Sequence, residues 1–570
     1  MTSSERVVVV GFGPVAARFI DVLEPSLASG AVHLTVIGSE QEAAYNRVLV
    51  ADVGVGRTSS SAIALSDVSR LASLGAEVLL GSGVRRIDRA RRQVQLDDGT
   101  VRPYDRLVLC TGARPVIPYL AGLNPDPLHP TLPAGVTALR DLADARALRS
   151  VVERRGDVVV LGGGILGLEA ALAAAEEGAR VTVVHHGDHP LARNIDDGGG
   201  RVLASALRSQ GVRLVSGAKA VGLEHSDGGA FTALRLDDGR LVSGDLLVLS
   251  CGVRPRVELA EGAGLPVDTG ILVGHSLQAH HDEHIYAIGD CAEVRCTSVG
   301  CGDCRGNTAP SGLIGPGWKQ AEWLAEAFAG SLGAGAAGPL GAGAAGPLGA
   351  GAAEPLGAGA AEPLGAGAAG PLGADAAGPL GADAAGPLGA DFSSTGARYV
   401  ETTLPPVLML KARGLDAVVA GDVSADPWAA HEDGTAVALW ADPQQGSYAK
   451  MVTRGGVLQG LVCVGLPRAA AELVLLFESG AVLPADRSSL LRLDGAEAAA
   501  APSSLAADPA GIVCRCAGVS RGSIEQAAVV GCSSVAEVSA STRAGTGCGG
   551  CHSDIRAIIE QHFEHHPASV

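Results

Sequence analysis

The sequence predicts an α/β protein assembled from several domains, and three observations carry that expectation. A run of valines, Val7 to Val10, leads into Gly11-Phe12-Gly13-Pro14-Val15-Ala16 and then into helix-forming sequence. The apolar stretch Asp157 to Leu161 leads in the same way into Gly162-Gly163-Gly164-Ile165-Leu166-Gly167 and a second helix-forming stretch. An apolar strand, a glycine turn and a helix form the opening of a βαβ unit whose strand is buried on both faces. At the far end, Cys514-x-Cys516 and Cys548-x-x-Cys551 place four thiols in one short module. Two Rossmann-like dinucleotide-binding domains, a small α+β domain and a small C-terminal metal-bearing domain account for this pattern.

The elements follow in chain order. Residues 6 to about 120 open with the valine strand, continue through HLTVIG at 33–38 and close with RLVLCTGARP at 106–115. Residues 157–251 repeat the plan as DVVVLGGG, the helical LEAALAAAEEG, the strand ARVTVVHH and a closing strand within DLLVLSCGVRP at 245–255. The expected boundaries are 1–120 with 250–330 for the first dinucleotide-binding domain and 121–249 for the second. From Gly333 to Leu388 run seven copies of the octapeptide GA[GD]AA[GE]PL. Proline every eighth residue prevents a continuous helix and one leucine per unit cannot build a core, so 331–391 reads as a flexible tether. As a coil it separates its ends by roughly 40–45 Å on average. Short β-like runs (PPVLMLKA, GTAVALWA, YAKMVTRGGVLQGLVCVG) mark the small domain at 392–490, a linker rich in Ala, Ser and Pro spans 491–510, and 511–570 is the cysteine module.

Composition excludes several classes. A net charge of -18 over 570 residues argues against a nucleic-acid or anionic-membrane partner. Thirty-nine arginines against four lysines reflect coding bias and say little about partners. No basic and apolar leader stands ahead of Arg6, so a cytoplasmic location is expected. The longest apolar run, 158–168, is glycine-rich, stops at Glu169 and is too short to cross a bilayer. In a reducing compartment, clusters among twelve cysteines read as metal or redox sites rather than disulfides.

The turns carry the first chemistry. Gly11 and Gly13, with Ala16 at the third position, permit a tight turn and the close approach of a pyrophosphate to a helix N-terminus. Glu40, about two strands later, is placed to accept from a ribose hydroxyl. In the second turn Gly162, Gly164 and Gly167 fit all three glycine positions, and Glu169 stands just beyond them as a further cofactor-binding candidate. Thr111 and Gly112 end a strand where small residues let the chain pass close to a dinucleotide. Ile285 to Asp290 ends another strand with an acid.

Together these stretches resemble the FAD/NAD(P) two-dinucleotide-domain flavoproteins, the pyridine nucleotide–disulfide oxidoreductase fold, over residues 6 to about 330. The resemblance implies FAD on the first turn, NAD(P)H on the second, and Asp290 hydrogen-bonded to the ribityl chain. Disulfide reductases of this fold carry a Cys-x4-Cys pair early in the chain, whereas residues 40–60 here contain no cysteine, so no dithiol relays electrons. The segment Tyr45 to Val50 is instead similar to the branch that includes rubredoxin reductases and the NADH-oxidising end of assimilatory nitrite reductase. That likeness implies Arg47 near the flavin phosphates; an exposed salt-bridging arginine is the alternative. Residues 397–490 are similar to the small C-terminal domain of the same branch. His185, at the end of ARVTVV, occupies a position where NAD-preferring sites commonly place an acid, and Arg180 and Arg193 are candidate phosphate partners. NADH oxidation with weak discrimination against NADPH is therefore expected.

Four thiolates, Cys514, Cys516, Cys548 and Cys551, can hold a [2Fe–2S] cluster with glycine N–H groups at 545–550 free to donate to sulfur. The spacing resembles the bacterioferritin-associated-ferredoxin type of [2Fe–2S] domain, while tetrahedral zinc suits the same ligands. Nicotinamide delivers two electrons as hydride, flavin holds one or two, and such a cluster passes one, which explains why the two ends of the chain occur together. The whole arrangement resembles the electron-transfer subunit of bacterial assimilatory nitrate reductase and the front part of the nitrite reductase large subunit. It implies a separate molybdenum nitrate reductase catalytic subunit as partner. The sirohaem ligand pairs Cys-x5-Cys and Cys-x3-Cys are absent, so electron delivery rather than nitrite reduction is expected. A rubredoxin-type reductase and a flavin- and metal-binding redox sensor are the other classes. Cys291, Cys296, Cys301 and Cys304 crowd one loop as a possible extra metal site, and the His pairs at 185–186, 280–281 and 565–566 resemble ligands only superficially.

Overall fold

A computed structural model describes residues 4–123, 131–296, 310, 312–333, 407–412, 414–484, 486–491, 494, 509, 511–514, 519–542, 544–545 and 551–565. The octapeptide tether lies outside these residues apart from its first few positions. Five parallel strands of the first dinucleotide fold lie in the order Ile285–Ala287, Arg106–Leu109, Glu5–Val10, Val32–Ile37, Glu77–Leu79. The second fold repeats this as Val136–Thr137, Leu246–Leu249, Asp157–Leu161, Arg180–Val184, Arg213–Val215. Val7, Val8 and Val9, and likewise Val158, Val159 and Val160, are essentially inaccessible to solvent, as central parallel strands require. In each sheet the first strand sits between its successor and the closing strand. The strand order therefore reverses there, and a crevice opens at the carboxyl ends.

Sequence periodicity did not mark the lesser strands. Each fold carries a three-stranded antiparallel meander, Val84–Asp88, Gln93–Leu96 and Val101–Pro103 in the first, and Ala220–His225, Phe231–Leu236 and Leu241–Ser243 in the second. Beyond the closing strands the folds clasp each other: Ala113–Pro115 pairs antiparallel with Val253–Pro255, setting Arg114 opposite Arg254. The helix Ile314–Gly333 returns to the first fold, where the Trp318 indole donates to the Pro14 carbonyl at 3.1 Å and Gln320 accepts from the Gly289 N–H at 2.7 Å.

The small domain is a five-stranded antiparallel sheet ordered Leu408–Ala412, Leu415–Gly421, Val457–Val464, Ser447–Arg454, Thr435–Asp442. Its residues alternate between two cores. Leu461 and Cys463 face the helix Pro467–Ser479, whereas Val462 and Val464 join an apolar cluster with Leu203 and Leu207 of the second dinucleotide fold. The helix Asp197–Ser209 carries three glycines in its first turn, and the sheet presses on two of them: a Cβ at Gly198 would come within 2.8 Å of the Tyr448 ring and one at Gly199 within 3.0 Å of Val462, while one at Gly200 would overlap the His189 ring. Asp196, which caps this helix, accepts from the Tyr448 hydroxyl and pairs with buried Lys450 at 3.2 Å, and Lys450 also donates to the Val423 carbonyl at 2.7 Å.

The C-terminal module is a hairpin, Ile512–Cys514 with Val519–Ser520, and the helices Arg521–Val529, Val535–Thr542 and His552–His565 around Ile524, Val538 and Ile555. Among the described residues no helix is long and apolar enough to cross a membrane. The α/β class agrees with the expectation from sequence.

Candidate cofactor-binding site

Each glycine turn is shaped by its closing strand. Gly11 has φ +100° and Gly162 φ +125°, and a Cβ at either would overlap a backbone carbonyl, that of Cys110 or that of Ser250. Ala16 is fully buried, and at Gly167 a Cβ would stand 2.9 Å from the Gly162 carbonyl oxygen. Gly13 and Gly164 are different. They are the N-caps of the helices Pro14–Ala28 and Ile165–Glu176, they have extended φ, and no side chain caps either helix. A Cβ on Gly164 would meet no atom within 4 Å, and one on Gly13 only Arg47 Nε at 3.9 Å. Uncapped N–H groups facing open space at the positive end of a helix fit a pyrophosphate.

One cavity of about 1450 Å³ joins the two halves of the site. Gly11, Gly13, Ala16, Glu40, Arg47, Thr111, Gly112 and Asp290 line it from the first fold, and Leu166 and Glu169 reach it from the helix Ile165–Glu176, whereas Gly162, Gly164 and Gly167 of the second turn do not line it. Glu40 and Arg47, read from sequence as contacts to two different parts of a nucleotide, pair with each other. The Tyr45 hydroxyl donates to Glu40 at 2.6 Å, and the Arg47 guanidinium lies over the Tyr45 ring, 5.0 Å from its centroid. Burial foremost, and then the bond to Glu40, raises the Tyr45 phenol, so it remains a donor. Asp290 pairs with Arg140 at 3.3 Å, and the Arg140 carbonyl accepts from Arg47 at 3.2 Å. Sequence reasoning missed Arg140, which lies in a loop with no motif. Thr111 donates to the Arg256 carbonyl at 2.9 Å, tying the first fold to the strand that enters from the second.

On the nicotinamide side the structure separates the phosphate candidates. Arg180 opens its strand and makes a bidentate pair with Asp157 at 2.6 and 2.7 Å. It lies at the amino end of the sheet, opposite the glycine turn, and is no phosphate partner. Arg193 is exposed in the loop beyond the strand's carboxyl end. His185 is buried against Gly163, its Nε2 sits 3.0 Å from the Ser216 hydroxyl, and burial lowers its pKa, so it is neutral at pH 7. It offers a 2′-phosphate neither attraction nor repulsion. The expected preference for NADH over NADPH, measured as a ratio of kcat/KM, is therefore below about a thousandfold, on the order of 4 kcal/mol. A larger ratio would place the selectivity elsewhere.

In the C-terminal module Cys514 and Cys551 are buried in one apolar core, and the Gly545 N–H points at Cys514 Sγ at 3.3 Å. Cys551 immediately precedes the helix His552–His565, where the helix end favours a thiolate. Buried thiols with a backbone donor fit an iron–sulfur ligand set. Cys516 and Cys548 lie outside the described residues. In the second cysteine group Cys291 turns inward, its thiol donating to the Leu109 and Ile288 carbonyls at 3.3 and 3.4 Å, and burial raises it. Such a thiol is an internal donor rather than a surface ligand. Cys301 and Cys304 lie outside the described residues.

Residues 5–309 match the family model for pyridine nucleotide-disulphide oxidoreductases, and residues 512–561 match that for BFD-like [2Fe-2S] binding domains. A nitrite reductase [NAD(P)H] of Bacillus subtilis (strain 168) is 27% identical over 98% of this chain and 58% of its own length. The assimilatory nitrate reductase electron transfer subunit of the same organism is 30% identical over 57% of this chain and 39% of its own length. The chain thus spans about half the length of the curated relatives it matches. The solved covalent putidaredoxin reductase–putidaredoxin complex shares the fold at a TM-score of 0.62 and 20% identity, covering 88% of this chain and 100% of that one.

Proposed function

The chain belongs to the pyridine nucleotide-disulphide oxidoreductase family, and on that premise we propose that it oxidises NAD(P)H at an FAD and passes the electrons one at a time, through a [2Fe–2S] cluster, to a separate nitrate reductase catalytic subunit. One observation carries the reading: a single cavity is lined by the first glycine turn and by Ile165, Leu166 and Glu169 of the helix that follows the second, so nucleotides on the two helix N-termini would extend toward shared space. Bound FAD supplies acceptance of hydride and release of single electrons. The protein's own part is positional. The N-termini of Pro14–Ala28 and Ile165–Glu176 hold the phosphates, Glu40 receives a ribose hydroxyl, and Asp290, fixed by Arg140, receives the ribityl chain. Arg47 stands beside Gly13 and holds Glu40 in place. The absence of cysteine from residues 40–60 supports a path that bypasses any dithiol. The relative named as an electron transfer subunit of nitrate reductase supports the choice of partner.

The test begins with the purified full chain, for which we expect one FAD, two iron atoms and two acid-labile sulfides per chain. Stoichiometric zinc without sulfide would replace the cluster by a structural metal. Mixing the protein with a molybdenum nitrate reductase catalytic subunit should then give NADH-dependent nitrate reduction. Reduction of rubredoxin but not of that subunit would transfer the proposal to a small-carrier reductase.

A further inference from the structure

Arg256 lines the cavity, and the bonds it makes there come from its backbone alone among the described residues. It follows the strand Val253–Pro255, where the chain returns from the closing strand of the second fold and pairs with Ala113–Pro115 of the first. Its backbone is clamped on both sides to the turn of the first fold: its N–H donates to the Gly112 carbonyl at 2.9 Å, and its carbonyl accepts from Thr111 at 2.9 Å. The other cations nearby are engaged, Arg114 with Glu258, Arg140 with Asp290 and Arg47 with Glu40. Among the described residues no hydrogen bond or ion pair engages the Arg256 guanidinium, although its surface opens into the cavity. Enclosure by protein and the neighbouring Arg114, Arg140 and Arg47 charges lower its pKa, with Glu258 opposing. The group nevertheless stays charged at any physiological pH. A cation crowded by other cations, held rigidly by its backbone and open on one side, is a place that a polyanion relieves.

We propose that Arg256, on the connection by which the chain returns from the second fold to the first, is an anion-binding residue for a nucleotide diphosphate held in the shared cavity. The inference rests on the function proposed above. The chemistry is a guanidinium fork on phosphate oxygens, and its position against Thr111 and Gly112 favours the flavin nucleotide over the nicotinamide one as the source. Because Arg256 directly follows the strand Val253–Pro255, which is paired with Ala113–Pro115, the same contact would also make nucleotide binding depend on that strand pair.

The test uses the full chain stripped of flavin, titrated with FAD by fluorescence quenching and, after reconstitution, with NAD+ by calorimetry. Arg256→Gln should weaken FAD about tenfold, equivalent to ~1.4 kcal/mol, with a shallower salt dependence than wild type. Arg256→Lys, which keeps the charge and loses the fork, should fall between the two. Arg254→Gln, two residues away and outside the cavity lining, should change neither affinity. Folding is monitored by thermal melting, which Arg256→Gln should leave unaltered because its backbone makes the structural contacts. Weakening of NAD+ alone would retain the anion site and assign it to the nicotinamide nucleotide. Unchanged FAD and NAD+ affinities in Arg256→Gln would overturn the proposal while leaving the flavoprotein reading intact. Failure of the wild-type chain to bind FAD would instead overturn that reading.

Discussion

Cys551→Ala is expected to remove iron and acid-labile sulfide from the protein and to abolish electron delivery to the partner, while the flavin is still reduced by NADH. The reason lies in the separation of the two sites. Cys551 and Cys514 belong to an apolar core whose described members all lie within the C-terminal module, and among the described residues none of 511–565 lines the nucleotide cavity. Cys514→Ala should behave alike, since its sulfur receives the Gly545 N–H and has no counterpart in the flavin fold. NADH-dependent reduction of ferricyanide at the flavin should stay within about a factor of two of wild type, the additivity expected of distant sites. Nitrate reduction at the wild-type rate by the Cys551→Ala protein would place the cluster off the path and leave it a structural role.

The second large effect separates two glycines two residues apart. Gly162→Val should destabilise the second fold by at least about 4–5 kcal/mol, because it forces a β-branched side chain into φ +125° and against the Ser250 carbonyl. Gly164→Leu should cost no more than about 1 kcal/mol, the loss of a tolerated N-cap, since its φ of -82° suits any residue and the space beside it is open. That open space is where the nicotinamide pyrophosphate is proposed to lie. Gly164→Leu should therefore raise the KM for NADH by about a hundredfold, ~2.7 kcal/mol, with the FAD and iron content unchanged. Normal NADH turnover by a well-folded Gly164→Leu protein would show that the phosphates bind elsewhere.

What could be read beforehand followed how local the constraint was. Gly11 and Gly162 stand out in sequence because a positive φ and a carbonyl in contact leave no alternative, and the valine strands stand out because both faces are buried. The pairing of Glu40 with Arg47 depends on a loop conformation, and that of Arg140 with Asp290 joins residues far apart in the chain. Neither leaves a spacing to detect. Arg180 could have been set aside from sequence, since ligands of open parallel sheets bind at the carboxyl ends and it opens its strand. The alternation of Val457–Val464 between two cores reads as an ordinary buried strand; only the partner on each face, the helix Pro467–Ser479 or Leu203 and Leu207, distinguishes them.

The edge strand Ile285–Ala287 has a consequence for the order in which the protein matures on the ribosome. It pairs with Arg106–Leu109, yet the whole second dinucleotide fold is made between them. At about 5–20 residues per second the growing chain carries Arg106–Leu109 with one side open for roughly 10–35 s. The inserted fold has all five strands of its sheet by Leu249 and needs nothing synthesised later to close that sheet. The domain that begins first thus finishes second, and its bare strand edge is the interval when the nascent chain is most open to mispairing or chaperone capture. Synonymous codon changes that slow translation between residues 250 and 285 should lower the yield of soluble protein without altering the activity of what is recovered.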